Sequence, residues 1–469
     1  MKLDSRSCGP ALLASVLGLA LAGCAQLDKR TALDRYVAEP DANFRFSLAS
    51  TNSAGRCAVY VLDLTSQAWL TTNEVDRPLW KHWLTIIKPE KVDHRQALLF
   101  IGGGGNDKPA PKNVDDNLVR IAQETHSVVA ELKMVPNQPV QFRGENRTRV
   151  EDELIAYTWD KYLRTGDEKW PARLPMTKSA VRAMDTITTF CGGPSFGNVK
   201  VDQFVVAGGS KRGWTTWTTA AVDKRVVGMV PIVIDVLNLE SSMRHHYGAY
   251  GFWAPAVGNY TELNIMDWTG TPQFQKLMQI EDPYSYRQRF RMPKLMINAS
   301  GDQFFLPDSS QFYFQDLPGI KYLRYVPNAD HSLKGTDAWQ SLLAFYEGIL
   351  NQAALPQFNW TWEKNDAIRI KTSAKPSAIT LWQATNPNAR DFRLETLGPV
   401  WQSKPLALGT DGSVLAQVPA PAKGWTAFFV ELTFPGIGSV PYKFTTPVRV
   451  TPDTEPFQFK PDHGVMNRN

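Results

Sequence analysis

A doubly wound, mostly parallel α/β sheet is the fold class that this sequence predicts, and three observations predict it. Apolar runs rich in β-branched residues alternate with helical segments from about Cys57 to Leu350. Two of these runs break straight into glycine: Arg95–Ile101 into Gly102-Gly103-Gly104-Gly105, and Gln203–Ala207 into Gly208-Gly209-Ser210. Finally, Ser210, Asp302 and His331 each follow an apolar run, which sets all three along the carboxyl edge of one parallel sheet, where open α/β sheets bind ligands.

In chain order, Cys57–Thr65 and Trp80–Ile87 alternate or cluster like the early strands of a twisted sheet. Arg95–Ile101 reads as a buried strand, and a helix over Asn113–Gln123 leads to another strand at Ser127–Leu132. Glu151–Arg164 has helical periodicity, and a second helix, Thr177–Phe190, runs through Cys191-Gly192-Gly193 to the strand that ends at Ser210. Val226–Ile234 and the runs from Met292 and from Ile320 supply further strands, and a Ser341–Leu350 helix closes a domain bounded at 39–355. Between Asp235 and Pro293 the chain is too long for a simple crossover and is rich in aromatics, including Tyr247, Tyr250, Phe252, Trp253, Tyr260 and Trp268. Inserted near the ligand edge at about 236–292, it reads as a cap that shapes a pocket. From about Phe358 the pattern changes to short alternating strands: Ala367–Lys371, Ala378–Gln383, Ala427–Thr433 and Tyr442–Val450. Pro and Gly turns separate them, so an all-β sandwich of immunoglobulin or fibronectin type is expected over 356–455, followed by a tail at 456–469.

Ser210 carries the strongest chemical signal. Gly208-Gly209-Ser210-Lys211 fits the strand–turn–helix elbow G-x-S-x-G up to its last position, where Arg212 stands and Gly213 follows one place later. This variant works if Gly213 lets helix and strand pack closely while Arg212 points outward. A serine at such a turn is exposed, and the helix N-terminus favours a developing oxyanion. The Lys211 N–H is then one oxyanion donor, and the glycine loop supplies the other from Gly103 or Gly104. Four successive glycines cost backbone entropy that packing alone does not explain. The order Ser210, Asp302, His331 is that of the α/β-hydrolase fold. In these roles His331 takes the serine proton and later passes it to the leaving group, while Asp302 fixes the imidazole tautomer. Asp235, Asp308 and Asp330 are rivals for the acid; its place directly after the penultimate strand favours Asp302. The plain alternatives are a glycine-rich turn that contains a serine, and a surface histidine.

Composition bounds the rest. Apolar content of 43%, with 15 Trp and 23 Phe, indicates buried cores rather than disorder. The net charge of +5 arises from 51 basic and 46 acidic residues without a Lys/Arg stripe, so nucleic acid is not an expected partner. No CxxC or His/Cys cluster marks a metal site, and the adjacent His245-His246 do not share a helical face, so neither metal nor cofactor is expected.

The N-terminus reads as a targeting segment. Lys2 and Arg6 precede an apolar run, Ala11–Ala22, too short to span a bilayer, which ends Leu21-Ala22-Gly23-Cys24. That tetrapeptide resembles a bacterial lipobox. The resemblance implies removal of residues 1–23, lipidation of Cys24 ahead of an anchor tail at 24–38 and, with Ala25 next, sorting to an outer membrane. A plain secretory signal cut nearby is the alternative; either way the folded part faces an extracytoplasmic space. Cys8 leaves with the signal, so Cys57 and Cys191 remain, free to pair if the fold brings them together.

With these residues placed, the chain resembles the PhoPQ-activated pathogenicity-related family over most of residues 40–350. The likeness rests on Val150-Glu-Asp-Glu-Leu-Ile-Ala-Tyr157, Pro175-Met-Thr-Lys-Ser-Ala-Val-Arg-Ala-Met-Asp185, Gly208-Gly-Ser-Lys-Arg-Gly-Trp214 and Gly301-Asp-Gln-Phe-Phe305. It implies an extracytoplasmic α/β-hydrolase whose substrate is undefined. The family is in turn similar to a eukaryotic secreted proliferation repressor of dipeptidyl-peptidase character, and such peptidases grip a free α-amine with paired glutamates. Glu151 and Glu153 are candidates, although two apart on a helix they point about 200° from each other and equally suit the positive end of a helix dipole. His246 and Trp253 of the cap are further candidate substrate contacts. A carbohydrate or glucuronoyl-type esterase, whose elbow also carries a basic residue where Lys211 stands, is the rival enzyme. The non-enzymatic reading is a degenerate hydrolase kept as a surface adhesin, with Arg212 and the sandwich making partner contacts. A small-molecule or peptide substrate, and a membrane reached through Cys24, complete the expectation.

Overall fold

The computed structural model describes residues 30–364 and 366–464, and the chain from Thr31 onward is one compact unit. The signal segment and Cys24 lie outside the described residues. Eight helices frame the site: Ala32–Ala38 (α1), Asp116–Thr125 (α2), Glu151–Thr165 (α3), Arg173–Cys191 (α4), Lys211–Val222 (α5), Leu239–Tyr250 (α6), Pro272–Glu281 (α7) and Ala338–Leu350 (α8). The sheet begins as an antiparallel meander, Arg45–Ala54 (β1), Cys57–Ala68 (β2) and Leu79–Pro89 (β3). It continues through Gln96–Ile101 (β4), Val128–Leu132 (β5), Gln203–Gly209 (β6), Val226–Ile232 (β7), Lys294–Ala299 (β8) and Lys321–Val326 (β9). The spatial order is β1-β2-β3-β5-β4-β6-β7-β8-β9, parallel from β5 onward. This is an α/β-hydrolase fold.

Why β4 and β6 are largely apolar follows from what covers them. Along β6, Phe204 and Val206 enter one core while Val205 and Ala207 enter the other; along β4, Leu99 and Leu98 divide the same way. Residues of α4 and α5 fill the first core and residues of α2 and α8 the second, so neither face of these strands meets water. The edge strand β1, largely exposed and polar, gives no such signal and is specified by its hydrogen bonds to β2.

Four expectations are corrected. The folded unit begins at Thr31 rather than at residue 39: Thr31 and Asp34 cap α1 reciprocally, and Leu33 and Val37 are buried. Cys57 and Cys191 do not pair, because they are buried as free thiols in the two different cores, on opposite faces of the sheet. Residues 455–463 are not a loose tail. The Phe457 N–H donates to the Gly248 carbonyl (3.0 Å), Phe459 packs on Trp253, and the Asp462 N–H donates to Asp267 (2.9 Å), all on the cap.

The fourth concerns the strand-rich C-terminal region, which consists of Phe358–Glu363 (β10), Ala367–Thr372 (β11), Ala378–Asn386 (β12), Gln402–Pro405 (β13), Ser413–Gln417 (β14), Trp425–Phe434 (β15), Tyr442–Thr445 (β16) and Arg449–Thr451 (β17). It has two layers, β10-β11-β14 and β16-β15-β12-β13, with β17 on β15. The larger layer is no free-standing sheet: β16 pairs with β9 at Leu323 and Thr445, making one sheet of fourteen strands. Ile370 and Val430 share a core with Leu342 and Phe345 of α8. The buried Arg324 of β9 pairs with Glu431 of β15 and with Asp337. The pattern change near residue 356 is a change of layer inside one unit.

Heat should therefore unfold both regions in one calorimetric transition, and residues 31–355 expressed alone should show none. Glu431→Ala, which strips a buried arginine of one partner, should cost about 3 kcal/mol and lower that single transition without splitting it.

Candidate active site

Ser210 is the residue between β6 and α5, with φ +57° and ψ −129°. A side-chain-bearing residue held in such a sparsely populated region costs about 1–3 kcal/mol, so its surroundings must enforce it. The Ser210 N–H donates to the Ile232 carbonyl of β7 at 2.8 Å. On either side the backbone is too close for a side chain. A Cβ at Gly208 would lie 2.8 Å from the Arg212 carbonyl oxygen, and one at Gly213 would lie 2.8 Å from the Gly208 oxygen and 2.9 Å from the Ile232 oxygen. Gly213 thus does what the sequence led one to expect of it.

Arg212 does the opposite of what was expected. Instead of pointing outward it turns inward and is nearly buried: Nε donates to the Val135 carbonyl and Nη2 donates to Glu151 Oε1 at 2.6 Å. Its guanidinium occupies the space beside Gly103, where a Cβ would come within 2.6 Å of Nη2. Glu151 is the hub of this cluster. It also accepts from Gln138 Nε2 (2.6 Å) and pairs with Lys211 Nζ (2.9 Å), while its own N–H donates to Gln138 Oε1 (2.7 Å). Burial on its own would raise the Glu151 carboxyl, but Arg212 and Lys211 override that and hold it down to about 2. The Lys211 ammonium is further committed to Asp152 Oδ2 at 3.0 Å.

Asp302 and His331, the expected acid and base, are brought together. Asp302 Oδ2 lies 2.8 Å from His331 Nδ1, Asp302 Oδ1 accepts the Phe304 N–H, and Gln303 Oε1 accepts the His331 N–H. With the Nδ1–H donated to Asp302, Nε2 is the acceptor face of the ring. Phe304 packs on that ring at 4.5 Å between centroids. The rival carboxylates are engaged elsewhere. Asp235 accepts the Tyr313 and Tyr325 hydroxyls (both 2.6 Å), Asp308 binds His245 and Arg390, and Asp330 caps Ser332. Among the described residues no cation pairs with Asp235, and burial pushes it up to about 7.

Two cavities meet at Ser210. One is shared with His331, Trp339 and Leu333. The other runs beneath the cap between Lys211, Trp214, Leu239, Met243, Tyr260 and Phe304. Lys211 is the first residue of α5, so its N–H has no intrahelical acceptor and stands beside the serine. Ile101 pairs with Gly208, so the glycine loop leaves the sheet next to the elbow. Within it the Gly102 N–H is taken by the Leu132 carbonyl (2.7 Å) and the Gly103 carbonyl by the Met134 N–H (3.0 Å). Gly104 has φ +133°, a conformation that excludes other residues.

Three candidate substrate contacts lie elsewhere. Glu153 pairs with Arg147 and Arg149 and does not join Glu151. His246 is buried inside the cap, its Nε2 accepting the Ala254 N–H, and burial pushes it down to about 3. Trp253 packs on His246, Tyr247 and Phe459. The sequence singles out neither Asp152 nor Phe305 for the site, offers Glu151 only as an amine contact and not as the hub of a cation cluster, and presents Tyr260 only as one aromatic of the cap. The sequence does carry Glu151-Asp152 and Lys211-Arg212 as adjacent opposite charges, but nothing in it says that the two dipeptides meet. Among the described residues no group of three or more His, Cys, Asp or Glu side chains is placed to hold a metal ion.

Glu151→Ala leaves two nearly buried cations short of a partner and should cost about 1–3 kcal/mol of unfolding free energy, measured by urea titration. His246 is neutral in the fold, whereas the unfolded chain takes up its proton below about pH 6.5. Its contribution to stability is full above that pH and is lost as pH falls toward 3. His246→Gln, which keeps an acceptor, should flatten the decline of Tm between pH 7 and pH 4.5.

The chain matches the model of the family described as PhoPQ-activated pathogenicity-related protein over residues 33–393. It is 36% identical over 456 residues to autocrine proliferation repressor protein A of Dictyostelium discoideum, covering 91% of this chain and 92% of that protein. Among solved structures it is similar to acetyl xylan esterase 1 of Thermoanaerobacterium sp., with TM-score 0.46 and 16% identity, over 67% of this chain and 91% of that one. It is also similar to a glucuronoyl esterase of Solibacter usitatus, with TM-score 0.38 and 14% identity, over 68% and 91% of the two chains. A third likeness is to the acylaminoacyl peptidase of Pyrococcus horikoshii, with TM-score 0.39 and 12% identity, over 65% and 49%. The extent of the family match and the identity to a full-length relative lead to one conclusion: the chain belongs to the PhoPQ-activated pathogenicity-related protein family.

Proposed function

We propose that this protein is an extracytoplasmic serine hydrolase that cleaves an ester or peptide bond through an acyl-enzyme on Ser210. The observation that carries the reading is the Asp302–His331 pair at the same sheet edge as the strained Ser210 turn, with His331 and Ser210 on the wall of one cavity. In this reading His331 Nε2 takes the hydroxyl proton as Ser210 Oγ attacks the carbonyl carbon. The oxyanion forms against the Lys211 N–H and an N–H of Gly103 or Gly104. The bond to the leaving group then breaks and His331 returns the proton to it. Water, deprotonated by the same nitrogen, releases the acid and restores the serine. Asp302 keeps Nε2 unprotonated at the start and stabilises the imidazolium that follows. Among the described residues His331 Nε2 accepts no hydrogen bond, and in this reading its bond to Ser210 Oγ forms as substrate binds.

Lipidation at Cys24 is the companion proposal and puts the enzyme on the envelope. The lipobox-like Leu21-Ala22-Gly23-Cys24 supports it, with the folded unit starting shortly after, at Thr31. No described helix is long and apolar enough to cross a membrane.

Purified protein should hydrolyse short p-nitrophenyl esters, and Ser210→Ala should lower kcat/KM at least about a hundredfold; a smaller loss counts against Ser210 as nucleophile. Asp302→Asn should lower kcat about ten-thousandfold by fixing the wrong tautomer. A fluorophosphonate probe should label one serine, identified as Ser210 by peptide mass, whereas a binding protein that has lost its chemistry takes no label. Cys24→Ala should abolish incorporation of radiolabelled fatty acid and release the protein from the membrane fraction.

A further inference from the structure

The cavity under the cap has an apolar wall and a polar corner, and the state of that corner limits what can bind. Ile234 and Val236, just beyond β7, and Leu239, Met243, Val257 and Met266, within the cap, form the wall. The corner holds Lys211, Asp152, Tyr260 and Arg173, each with a partner already. Lys211 Nζ lies 2.9 Å from Glu151 and 3.0 Å from Asp152, whose other oxygen accepts the Tyr260 hydroxyl at 3.0 Å. Arg173 is fully buried; it pairs with Glu281 at 3.2 Å and donates to the Lys211 carbonyl at 2.7 Å and the Thr215 hydroxyl at 3.2 Å.

An ionic ligand entering this space loses its hydration and, among the described residues that line it, meets only charges that already have partners. To greet a carboxylate, Lys211 would have to leave Glu151 and Asp152; to greet an amine, Asp152 would have to leave Lys211. Either exchange breaks one buried pair to make another. A hydrocarbon chain needs no such exchange and gains from burial against the wall. The cavity is small, about 50 Å³, room for about three or four water-sized groups.

We propose that this cavity is the acyl-binding site, and that the preferred substrates are esters of uncharged, short aliphatic acids of roughly three to six carbons. The inference rests on the serine-hydrolase reading and narrows it. Acids bearing a free α-amine and acids of the uronate type, polar and hydroxylated, do not suit this wall. Met243 and Val257, both from the cap, set the length of chain that fits.

The test is kcat/KM for p-nitrophenyl esters from acetate to decanoate, with Gly-Pro p-nitroanilide and a methyl glucuronate ester alongside. It is run on the wild type, Met243→Trp and Val257→Ala, each checked for fluorophosphonate labelling of Ser210. The wild type should gain about fourfold per methylene from acetate to butyrate and lose activity beyond about hexanoate. Met243→Trp should lower the butyrate-to-acetate ratio at least tenfold, and Val257→Ala should move the optimum to longer chains. Should Met243→Trp fail to fold, the opposite shift in Val257→Ala still decides. With Ser210 labelled, a flat chain-length profile, or faster turnover of the anilide or the glucuronate ester than of butyrate, overturns the inference and leaves the serine hydrolase standing. No label on wild-type Ser210 overturns the serine-hydrolase reading, and the inference with it.

Discussion

The backbone turn at Ser210 is the constraint on which the rest of the site depends. A positive φ at a residue with a side chain is unfavourable by itself, and here three neighbours make it the conformation the chain must adopt. Gly208 and Gly213 bring strand and helix into backbone contact, and the Ile232 carbonyl holds the serine N–H. What results is a hydroxyl at the head of α5, beside an N–H that has no helical acceptor. Every other part of the site is placed relative to that point.

The second organising interaction is the Glu151 carboxylate. One buried-edge anion answers Arg212, Lys211 and Gln138 together, and through Arg212 it meets the Gly103 loop. An arginine at the position where an elbow usually has glycine has room only because glycine stands opposite it at 103. The two departures from an ordinary pattern, Arg212 in the elbow and four glycines in the loop, are thus one structural arrangement. The same network neutralises the corner of the cap cavity, which is why charge recognition there has so little to work with.

The C-terminal layers and the segment that follows them complete the enclosure. β16 extends the central sheet past β9, and residues 455–463 then cross the cap, with Glu455 on His245 and Phe459 on Trp253. His245 lies between Asp308 and Glu455. Burial alone would lower it, but these carboxylates raise it to about 9, so it stands as a cation joining the cap helix to the loop beyond Asp302. These contacts tie the cap to the C-terminal segment.

What the sequence alone determined is what local pattern and chain order encode. The buried strands β4 and β6 declare themselves because both faces are covered, which makes the positions after their first residues, Gln96 and Gln203, apolar or glycine. The turn glycines declare themselves because a side chain at Gly208 or Gly213 would strike backbone and because Gly104 holds a positive φ, and Asp302 is singled out by its place directly after β8. Tertiary structure decided whatever depends on two distant segments meeting. Adjacent charges at 151–152 and 211–212 look like solvated ends of helices until packing brings them together, and a histidine at 246 looks like a substrate contact until the fold buries it inside the cap. The two cysteines look like a pair until the sheet sets them on opposite faces, and the β-layers look independent until β16 reaches β9. In each case the deciding free energy comes from burial and pairing across the fold, terms absent from any single stretch of chain.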